Sequence, residues 1–365
     1  MENDFIYAQP VKIWFGSGRF ASLGQILTEL KLERCVLVCG RHFAARAEQM
    51  KRQVPAVRAV FSDVEPNPQL SGAARAARLA RETNAQAVIG IGGGSAMDSA
   101  KFAAAIAPGD EDPEAYYRGT VPFPEDPLAV VCIPTTAGTG SEVTQVSVIS
   151  HGSEKRTISH PSFMPKAAVV DPELTLSVSP YTTMITGLDA LCHAVEGYWS
   201  IHHQPIPDLF AAEAVRLILQ NLKAAWQNGS DIKARSHLAY ASLLGGLSFA
   251  QTKTAACHAC SYPLSERYHL PHGEACAFTF DSIVRLNADE RLEVLCRRAG
   301  LESSEELAGQ IAAFKQMAGL KTRLSELGDV DTAALACACA VHPLMQNNPR
   351  PLSEADLLAM FEALS

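Results

Sequence analysis

Four side chains in the second half of the chain have the types and the spacing of a metal site. Asp189 and His193 stand four residues apart in GLDALCHAVEG, so a helix would present both on one face. His258 and His272 follow in CHACSYPLSERYHLPHG. One carboxylate and three imidazoles suit a divalent iron or zinc ion that keeps a position open for a substrate. A single histidine is more often a core or surface residue, so the pattern predicts a metal site without excluding that alternative.

A glycine-rich turn, GIGGGSAMD (90–98), joins a predicted strand to a predicted helix. The glycines at 92–94 lack a Cβ, so the backbone there can approach a ligand closely. Ser95 is predicted to cap the helix, and Asp98 to complete a capping-box pair with it. The free N–H groups at the helix start favour an anion such as a pyrophosphate. A purely structural turn is the alternative, since neither G-x-G-x-x-G nor a P-loop is present.

A second unusual loop, PTTAGTGSEVT (134–144), also follows a predicted strand directly. Its hydroxyl groups and exposed backbone suit contacts with ribose, phosphate or nicotinamide, and a solvated polar turn is the alternative. Two such loops at the carboxyl ends of parallel strands indicate a dinucleotide bound there.

The elements needed to position these residues fall into two halves. Short apolar strands alternate with helices in the first half, which predicts a doubly wound parallel sheet covered on both faces. The predicted strands are 34–40, 56–64, 85–95 and 128–138, and the predicted helices between them are 42–53, 70–84 and 95–107. Helical periodicity dominates the second half, with predicted helices at 182–199, 207–227, 231–250, 253–267, 273–286, 289–299, 303–327, 331–346 and 353–364. We therefore expect a dinucleotide-binding α/β domain at 1–180 and an all-helical metal-binding domain at 181–365.

Composition excludes several classes of protein. The 365 residues suggest two domains at about 150 residues each, and 47% hydrophobic with 19% charged residues is a globular balance. The formal net charge is −8 and no run rich in Lys and Arg occurs, which argues against nucleic-acid binding. The N-terminus lacks the apolar region of a secretory signal, and no apolar run is long enough for a membrane span.

The ten cysteines are predicted to be reduced and mostly buried, as expected for a cytoplasmic protein. Cys257 and Cys260 form a C-x-x-C around His258, but no second cysteine pair accompanies them, so we interpret them as small helix residues. Ser141 has no partner histidine at a known motif spacing, which gives a serine hydrolase little support.

The motifs above, in this order, resemble the iron-containing (group III) alcohol dehydrogenases. The resemblance runs from FGSGRF (15–20) to NNPRPLSEADL (347–357) and includes EPNP (65–68), GGGSAMDSAK (92–101), VVDPELT (169–175) and PHG (271–273). It implies the dehydroquinate synthase-like fold: a dinucleotide domain, a helical metal domain, and catalysis in the cleft between them. It also implies NAD(P)H and Fe²⁺ as cofactors, with Zn²⁺ or another divalent ion as the alternative, and a homodimer.

Matching motifs carry the family's site residues onto this sequence. The implied metal ligands are Asp189, His193, His258 and His272. The implied cofactor-binding residues are Gly93, Gly94, Ser95 and Asp98 at the turn, Thr135, Thr136, Thr139 and Ser141 in the second loop, and Asn67 and Lys155 elsewhere.

The sequence departs from the family pattern at the end of the first predicted strand. Many members carry a carboxylate there that binds the adenosine ribose, whereas this chain has Gly40 followed by Arg41. A missing anion and a neighbouring cation favour a 2′-phosphate, so the sequence predicts that NADPH is accepted, with Gly40 and Arg41 at its ribose. The alternative is that Arg41 only points to solvent.

A second departure surrounds the third implied ligand. Lys253 precedes His258 where many members are glycine-rich, and Tyr262 replaces a second histidine. Lys253, Arg267 and His269 would form a cationic substrate site, and the segment resembles the phosphonoacetaldehyde reductase branch. That branch reduces an aldehyde bearing a phosphonate to 2-hydroxyethylphosphonate. Lys253 and Tyr262 are the predicted catalytic residues, with water or the cofactor ribose as other routes for the proton.

The resemblance therefore implies a metal-dependent aldehyde reductase in phosphonate metabolism, acting on a small anionic aldehyde. A general short-chain alcohol dehydrogenase and a maleylacetate reductase are alternatives within the oxidoreductases. A sugar-phosphate cyclase of the dehydroquinate synthase type, which is a lyase, is the alternative from another class.

Overall fold

The computed structural model describes residues 4–152 and 154–365. The chain divides into two compact units. Residues 8–136 and 140–175 form one, called here the N-terminal unit. Residues 176–365 form the other, the C-terminal unit, which also takes in the segment 137–139 and the described residues up to Tyr7.

Eight strands lie in the described part of the N-terminal unit. They are β1 (Lys12–Phe15), β2 (Cys35–Gly40), β3 (Val57–Val64), β4 (Ala87–Gly92), β5 (Ala129–Pro134), β6 (Val146–His151), β7 (Glu154–Ser159) and β8 (Ala167–Val170). Six of them form one parallel sheet in the order β1-β8-β5-β4-β2-β3. The other two, β6 and β7, pair as an antiparallel hairpin. The predicted doubly wound parallel sheet is therefore confirmed.

Helices cover both faces of this sheet. They are α1 (Leu23–Glu29), α2 (Ala44–Gln53), α3 (Leu70–Glu82), α4 (Gly94–Ile106) and the short α5 (Pro113–Arg118). Val36 and Val38 of β2 pack in a core with α3 and α4, while Leu37 and Cys39 pack on the opposite face with α1 and α2. Both sets of side chains are buried, which explains why the strand is a continuous apolar run without polar alternation.

Nine helices form the described part of the C-terminal unit, which contains no strand there. They are α6 (Pro180–Trp199), α7 (Pro205–Gln227), α8 (Ile232–Thr252), α9 (Ala256–Tyr268), α10 (His272–Leu286), α11 (Glu290–Ala299), α12 (Ser304–Met317), α13 (Thr332–Ala340) and α14 (Glu354–Ala363). Helix α6 is buried over almost its whole length. In the described chain, no helix has both the length and the apolar character needed to cross a membrane.

The structure differs from the sequence expectations in several elements. β1, β8 and the β6–β7 hairpin were not predicted, because β1 and β8 are only four residues long and the hairpin carries mixed polar and apolar residues. The helix predicted at 303–327 is wrong beyond Met317, where Gly319 takes a left-handed φ of 63° and ends it. The helix predicted at 331–346 is likewise too long: it ends at Ala340, shortly before Pro343.

Gly90 on β4 allows helix α4 to pack closely on the sheet. A Cβ at this position would lie 2.8 Å from the Ala100 Cβ and 3.0 Å from the Met97 Cα. Because the Met97 backbone cannot move aside cheaply, we expect Gly90→Ala to lower the free energy of unfolding by about 1–3 kcal/mol. Urea unfolding would measure this.

Gly72→Ala is the matched control for this experiment. Gly72 lies in helix α3, and a Cβ there would meet no atom within 4 Å. We expect this substitution to stabilise the protein slightly, by about 0.5–1 kcal/mol, since alanine favours the helix. Equal effects of the two substitutions would contradict the close approach at Gly90.

Candidate active site

Three imidazole nitrogens converge on one carboxylate oxygen in the C-terminal unit. Asp189 Oδ1 lies 3.8 Å from His193 Nδ1, 3.6 Å from His258 Nε2 and 3.8 Å from His272 Nε2. Helix α6 supplies Asp189 and His193 one turn apart, while α9 and α10 each supply one histidine from their first turn. The structure therefore brings together all four residues predicted to bind a metal.

The polar atoms of this group fit a metal ion. Asp189 Oδ1, His193 Nδ1 and His258 Nε2 are buried, and none of the three has a hydrogen-bond partner within residues 4–152 and 154–365. Buried polar atoms are normally paired, because an unpaired one costs about 1–3 kcal/mol. Three such atoms pointing at one another are explained by a cation that they coordinate jointly.

His193 has the protonation state that a metal ligand requires. Burial lowers the pKa of His193 to about 4, more than the nearby Asp189 raises it, so its imidazole is neutral at pH 7. The ring stacks on Phe249 with 4.3 Å between centroids. The neutral imidazole keeps a lone pair available, and the stack fixes the orientation of the ring.

Glu196 orients His258 from the side opposite the converging atoms. Its carboxylate is fully buried and accepts hydrogen bonds from the backbone N–H groups of Ala255 (3.0 Å) and Cys257 (2.6 Å). It also contacts His258 Nδ1 at 2.5 Å. A carboxylate bonded to one ring nitrogen directs the other toward a metal, which is a common arrangement around metal-binding histidines.

Cysteine side chains surround the same group. Cys276 Sγ lies 3.8 Å from His272 Nε2, and Cys192 Sγ lies 3.7 Å from His258 Nδ1. All ten cysteines are free thiols, and Cys337 alone is exposed. Cys257, interpreted from the sequence as incidental, lies within 4.8 Å of both Cys192 and Glu196, as measured between their donor atoms.

The glycine-rich turn lies at the carboxyl end of β4, as predicted, but its capping differs. Helix α4 begins at Gly94 with Gly93 at the N-cap, and in the described chain no side chain caps it. The predicted capping box of Ser95 and Asp98 is therefore wrong. Ser95 lies inside the first turn, because the flexible glycines let the helix start earlier.

Asp98 and Ser141 form a buried network with Lys101 instead. Ser141 Oγ donates to Asp98 Oδ1 at 2.8 Å, and Val148 N donates to Asp98 Oδ2 at 3.1 Å. Lys101 is fully buried and donates to Ser141 O and Oγ, each at 2.7 Å. Burial lowers the pKa of Lys101 and raises that of Asp98. This geometry shows that Asp98 and Ser141 position each other, and the direct cofactor contact that the sequence predicts for them stays a prediction.

The network holds the two predicted cofactor loops beside each other. Thr135 N donates to Gly92 O at 2.9 Å, and a Cβ on Gly93 would lie 3.4 Å from Thr136 Oγ1. Gly94 and Ser95 are half-buried and follow directly. The backbone of the turn therefore faces the threonines of the second loop.

The segment around Thr139 belongs to the same unit as the metal-site residues. A Cβ on Gly138 would lie 2.8 Å from the Thr186 Cβ and 3.1 Å from the Thr186 carbonyl oxygen. Thr186 lies on α6, three residues before Asp189. Gly138 is therefore required for the loop to pass this close to the helix that carries Asp189.

Two other predicted cofactor residues, Asn67 and Lys155, are brought together. Lys155 Nζ donates to Asn67 Oδ1 at 3.4 Å. Asn67 follows β3 and has a left-handed φ of 54°.

Arg41 follows Gly40 at the end of β2 and is bound to a carboxylate. Its Nε and Nη2 donate to Asp63 Oδ1 at 2.8 and 2.6 Å, and Arg75 Nη2 donates to Asp63 Oδ2 at 2.7 Å. The Arg41 side chain is 77% exposed. The Arg41 guanidinium, with Arg75, lowers the pKa of Asp63. Arg41 is therefore exposed to solvent and paired with Asp63, and its role at the cofactor ribose stays a prediction.

The residues predicted to bind an anionic substrate are exposed. Lys253 ends α8 with a φ of 65°, His269 follows α9 with a φ of 56°, and Arg267 donates weakly to Ala334 O at 3.4 Å. In the described residues, no hydrogen bond or ion pair joins these three side chains. Arg267 lies nine residues beyond His258 on α9, about 13 Å along the helix axis.

Tyr262 lies closer to the metal-site residues. It follows His258 by one turn of α9, and its ring centroid is 6.5 Å from that of His272. The other face of the ring stacks on His342 at 4.6 Å. Burial lowers the pKa of His342, which keeps that ring neutral at pH 7.

Sequence reasoning missed Glu196, Lys101, Asp63 and His342. Glu196 was detectable, because Asp189, His193 and Glu196 share one helix face at a spacing of four and three residues. Lys101 lies in the quoted GGGSAMDSAK motif, but nothing in the sequence indicates its burial. Asp63 and His342 are distant in sequence from their partners, so only the fold reveals them.

Comparison with known proteins places the chain in a family. Residues 10–172 match the family described as iron-containing alcohol dehydrogenase, and residues 183–365 match the C-terminal region of the Fe-containing alcohol dehydrogenase family. The chain belongs to the iron-containing alcohol dehydrogenase family, which confirms the resemblance seen in the sequence. It is therefore an oxidoreductase.

One solved structure and two relatives show which members of the family this chain is similar to. A solved sulfoacetaldehyde reductase from Bifidobacterium kashiwanohense, in complex with NAD⁺, has a TM-score of 0.95 and 37% identity, with 99% of each chain covered. Long-chain-alcohol dehydrogenase 1 of Geobacillus thermodenitrificans is 37% identical over 83% of this chain and 81% of its own length. A sulfoacetaldehyde reductase of Bilophila wadsworthia is 31% identical, with 83% of each chain covered.

Replacing Glu196 tests its effect on the metal-site residues. We expect Glu196→Gln to lower Zn²⁺ affinity roughly 10- to 100-fold, because the amide no longer holds the His258 ring in one orientation. A competition titration against a chelator would measure the affinity. Glu213→Gln, which alters an exposed pair with Arg216, is the control. Unchanged affinity in a folded Glu196→Gln protein would contradict the orienting role.

Proposed function

We propose that this protein is a metal-dependent, NAD(P)H-linked reductase of small anionic aldehydes that carry a phosphonate or sulfonate group. The observation that supports it most directly is the set of buried, unpaired donor atoms on Asp189, His193 and His258. These residues suit a divalent ion, with Fe²⁺ or Zn²⁺ as candidates. The N-terminal unit supplies the parallel sheet and the two loops that suit a dinucleotide.

Each residue around the metal site is assigned a separate role in the proposed reaction. When bound, the metal supplies a Lewis acid for the aldehyde oxygen, and the nicotinamide supplies the hydride. His272 is partly exposed, so a substrate can reach that side of the group. Glu196 and Phe249 fix the rings of His258 and His193. We assign Tyr262 as the proton donor to the product oxygen, because it lies beside His272 and stacks on a neutral imidazole.

Lys253 is the residue assigned to the anionic end of the substrate. Its side chain is exposed, five residues before His258, and the turn that follows it is fixed by the bond from Ala255 N to Glu196. Phosphonates and sulfonates share tetrahedral oxygens that accept charge-assisted hydrogen bonds. The two sulfoacetaldehyde reductases among the relatives support this substrate class.

Three further expectations from the sequence remain predictions. They are the homodimer, the cytoplasmic location and the domain boundary between residues 180 and 181.

Substrate preference and Lys253 can be tested together. We expect Lys253→Ala to lower kcat/KM for phosphonoacetaldehyde and sulfoacetaldehyde about 10- to 100-fold, since a hydrogen bond to a charged group contributes about 1.5–3 kcal/mol. A neutral aldehyde of similar size should change little. Cofactor oxidation at saturating NADH would be the measurement, with Lys233→Ala as the control.

The same assay separates the alternatives. Equal losses for charged and neutral aldehydes would remove Lys253 from substrate binding. Better turnover of neutral aldehydes by the unmodified protein would indicate a general alcohol dehydrogenase, and turnover of maleylacetate would indicate that reductase. A sugar-phosphate cyclase would show no net oxidation of NADH.

We also propose that NADPH is accepted at the end of β2. Gly40 pairs with Val64 in the sheet register, and Arg41, Asp63 and Arg75 surround this point. Two guanidiniums share one carboxylate, so a 2′-phosphate would take the place of Asp63 as their partner. Asp63 thus competes with the 2′-phosphate, and its loss should favour NADPH.

Binding measurements test this competition. We expect Asp63→Asn to raise NADPH affinity about tenfold and leave NADH affinity nearly unchanged, because both arginines become available. Fluorescence titration of each cofactor would measure both values. Glu305→Gln, which alters a similar exposed pair with Arg285, is the matched control. An equal effect on NADH and NADPH would place the 2′-position away from Asp63.

A further inference from the structure

Cys276 lies within the group of metal-binding side chains. Its Sγ and the donor atoms of Asp189, His258 and His272 all lie within 4.8 Å of one another. The thiol is fully buried. No motif in the sequence singled it out, and the four residues implied by the family resemblance do not include it.

The position of Cys276 repeats that of His193. Asp189 and His193 are separated by one turn of α6, and His272 and Cys276 by one turn of α10. Residues four apart on a helix project to the same side. Each helix therefore directs two donor side chains toward the same point, and α9 adds His258.

The distances are close to those of a tetrahedral set. Donor atoms about 2.0–2.3 Å from a common zinc ion are roughly 3.3–3.5 Å apart. Cys276 Sγ lies 3.8 Å from His272 Nε2, and that same nitrogen lies 3.8 Å from Asp189 Oδ1. Asp189 Oδ1 lies 3.6 Å from His258 Nε2. Small movements on metal binding would bring all four atoms to coordination distance.

Cys192 is a second buried cysteine near the same residues, but its position differs from that of Cys276. It is equally buried and also touches a ligand imidazole, but its Sγ approaches His258 Nδ1. That nitrogen faces Glu196, and the unpaired Nε2 on the other side of the ring faces the converging atoms. Cys192 therefore lies behind the ligand shell, whereas Cys276 lies beside its unpaired atoms.

We propose that Cys276 is a metal ligand in this protein, joining the aspartate and histidine ligands, and that it shifts metal selection toward Zn²⁺ and other thiophilic ions. This rests on the proposed function, which needs a metal at the same residues. On binding, the thiol S–H proton leaves to solvent and a sulfur–metal bond forms. A thiolate favours zinc, while oxygen-rich sites suit magnesium and manganese.

The test uses cobalt as a spectroscopic probe. The metal-free full-length protein would be loaded with Co²⁺, and near-ultraviolet absorption would report sulfur-to-cobalt charge transfer. We expect this band in the unmodified protein and in Cys192→Ser, and its loss in Cys276→Ser. We also expect Cys276→Ser to lose at least about tenfold in Zn²⁺ affinity, with a much smaller change for Mn²⁺.

Two results would overturn the proposal. One is stoichiometric Co²⁺ binding without a sulfur band, which leaves the proposed function intact. The other is a band that survives Cys276→Ser and disappears in Cys192→Ser. Failure to bind any divalent ion stoichiometrically would instead refute the proposed function itself.

A measurement without substitutions covers the case in which Cys276→Ser does not fold. X-ray absorption of the zinc-loaded, unmodified protein distinguishes a sulfur neighbour at about 2.3 Å from nitrogen and oxygen neighbours at about 2.0–2.1 Å. A shell containing one sulfur supports the proposal, and a shell of nitrogen and oxygen alone contradicts it.

Discussion

The C-terminal unit depends on one constraint: a buried carboxylate oxygen of Asp189 faces three imidazole nitrogens, and two of those nitrogens and the oxygen itself have no hydrogen-bond partner in the described residues. Such a group is costly in an apolar interior unless a cation occupies its centre. To assemble this group, the middle of α6 must meet the first turns of α9 and α10. The almost complete burial of α6 serves this requirement, because packing on all sides fixes the helix that carries two of the donors.

In the N-terminal unit, the corresponding constraint is to hold two loops in place at one edge of the sheet. A parallel sheet places successive loops at one edge, but loops are mobile unless something joins them. Here a buried lysine of α4, Lys101, joins that helix to the loop after β5, with Asp98 and Ser141 completing the network. In the described chain, none of these side chains caps the start of α4. Asp98 and Ser141 therefore hold α4 and this loop together, and their predicted contact with the cofactor stays a prediction.

The sequence was most informative where local rules govern the structure. Apolar runs ending in glycine located β2 and β4 within two or three residues, and the spacing of Asp189 and His193 indicated a shared helix face. It was least informative where a long-range contact decides the outcome. Nothing near Lys101 predicts its burial, and nothing near Arg41 indicates that a carboxylate from β3 binds it. The wrong capping box at Ser95 has the same origin, because Asp98 bonds to a residue 43 positions away.

Glu196 links the start of α9 to a predicted metal ligand, and this link affects how quickly a bound ion can exchange. The same carboxylate holds two N–H groups at the start of α9 and the outer nitrogen of His258. Rotation of that imidazole therefore breaks its bond to the carboxylate that also holds the start of the helix. We expect exchange of a bound ion to proceed through local opening of this turn, so that retention of the ion is governed by a kinetic barrier in the fold as well as by equilibrium affinity.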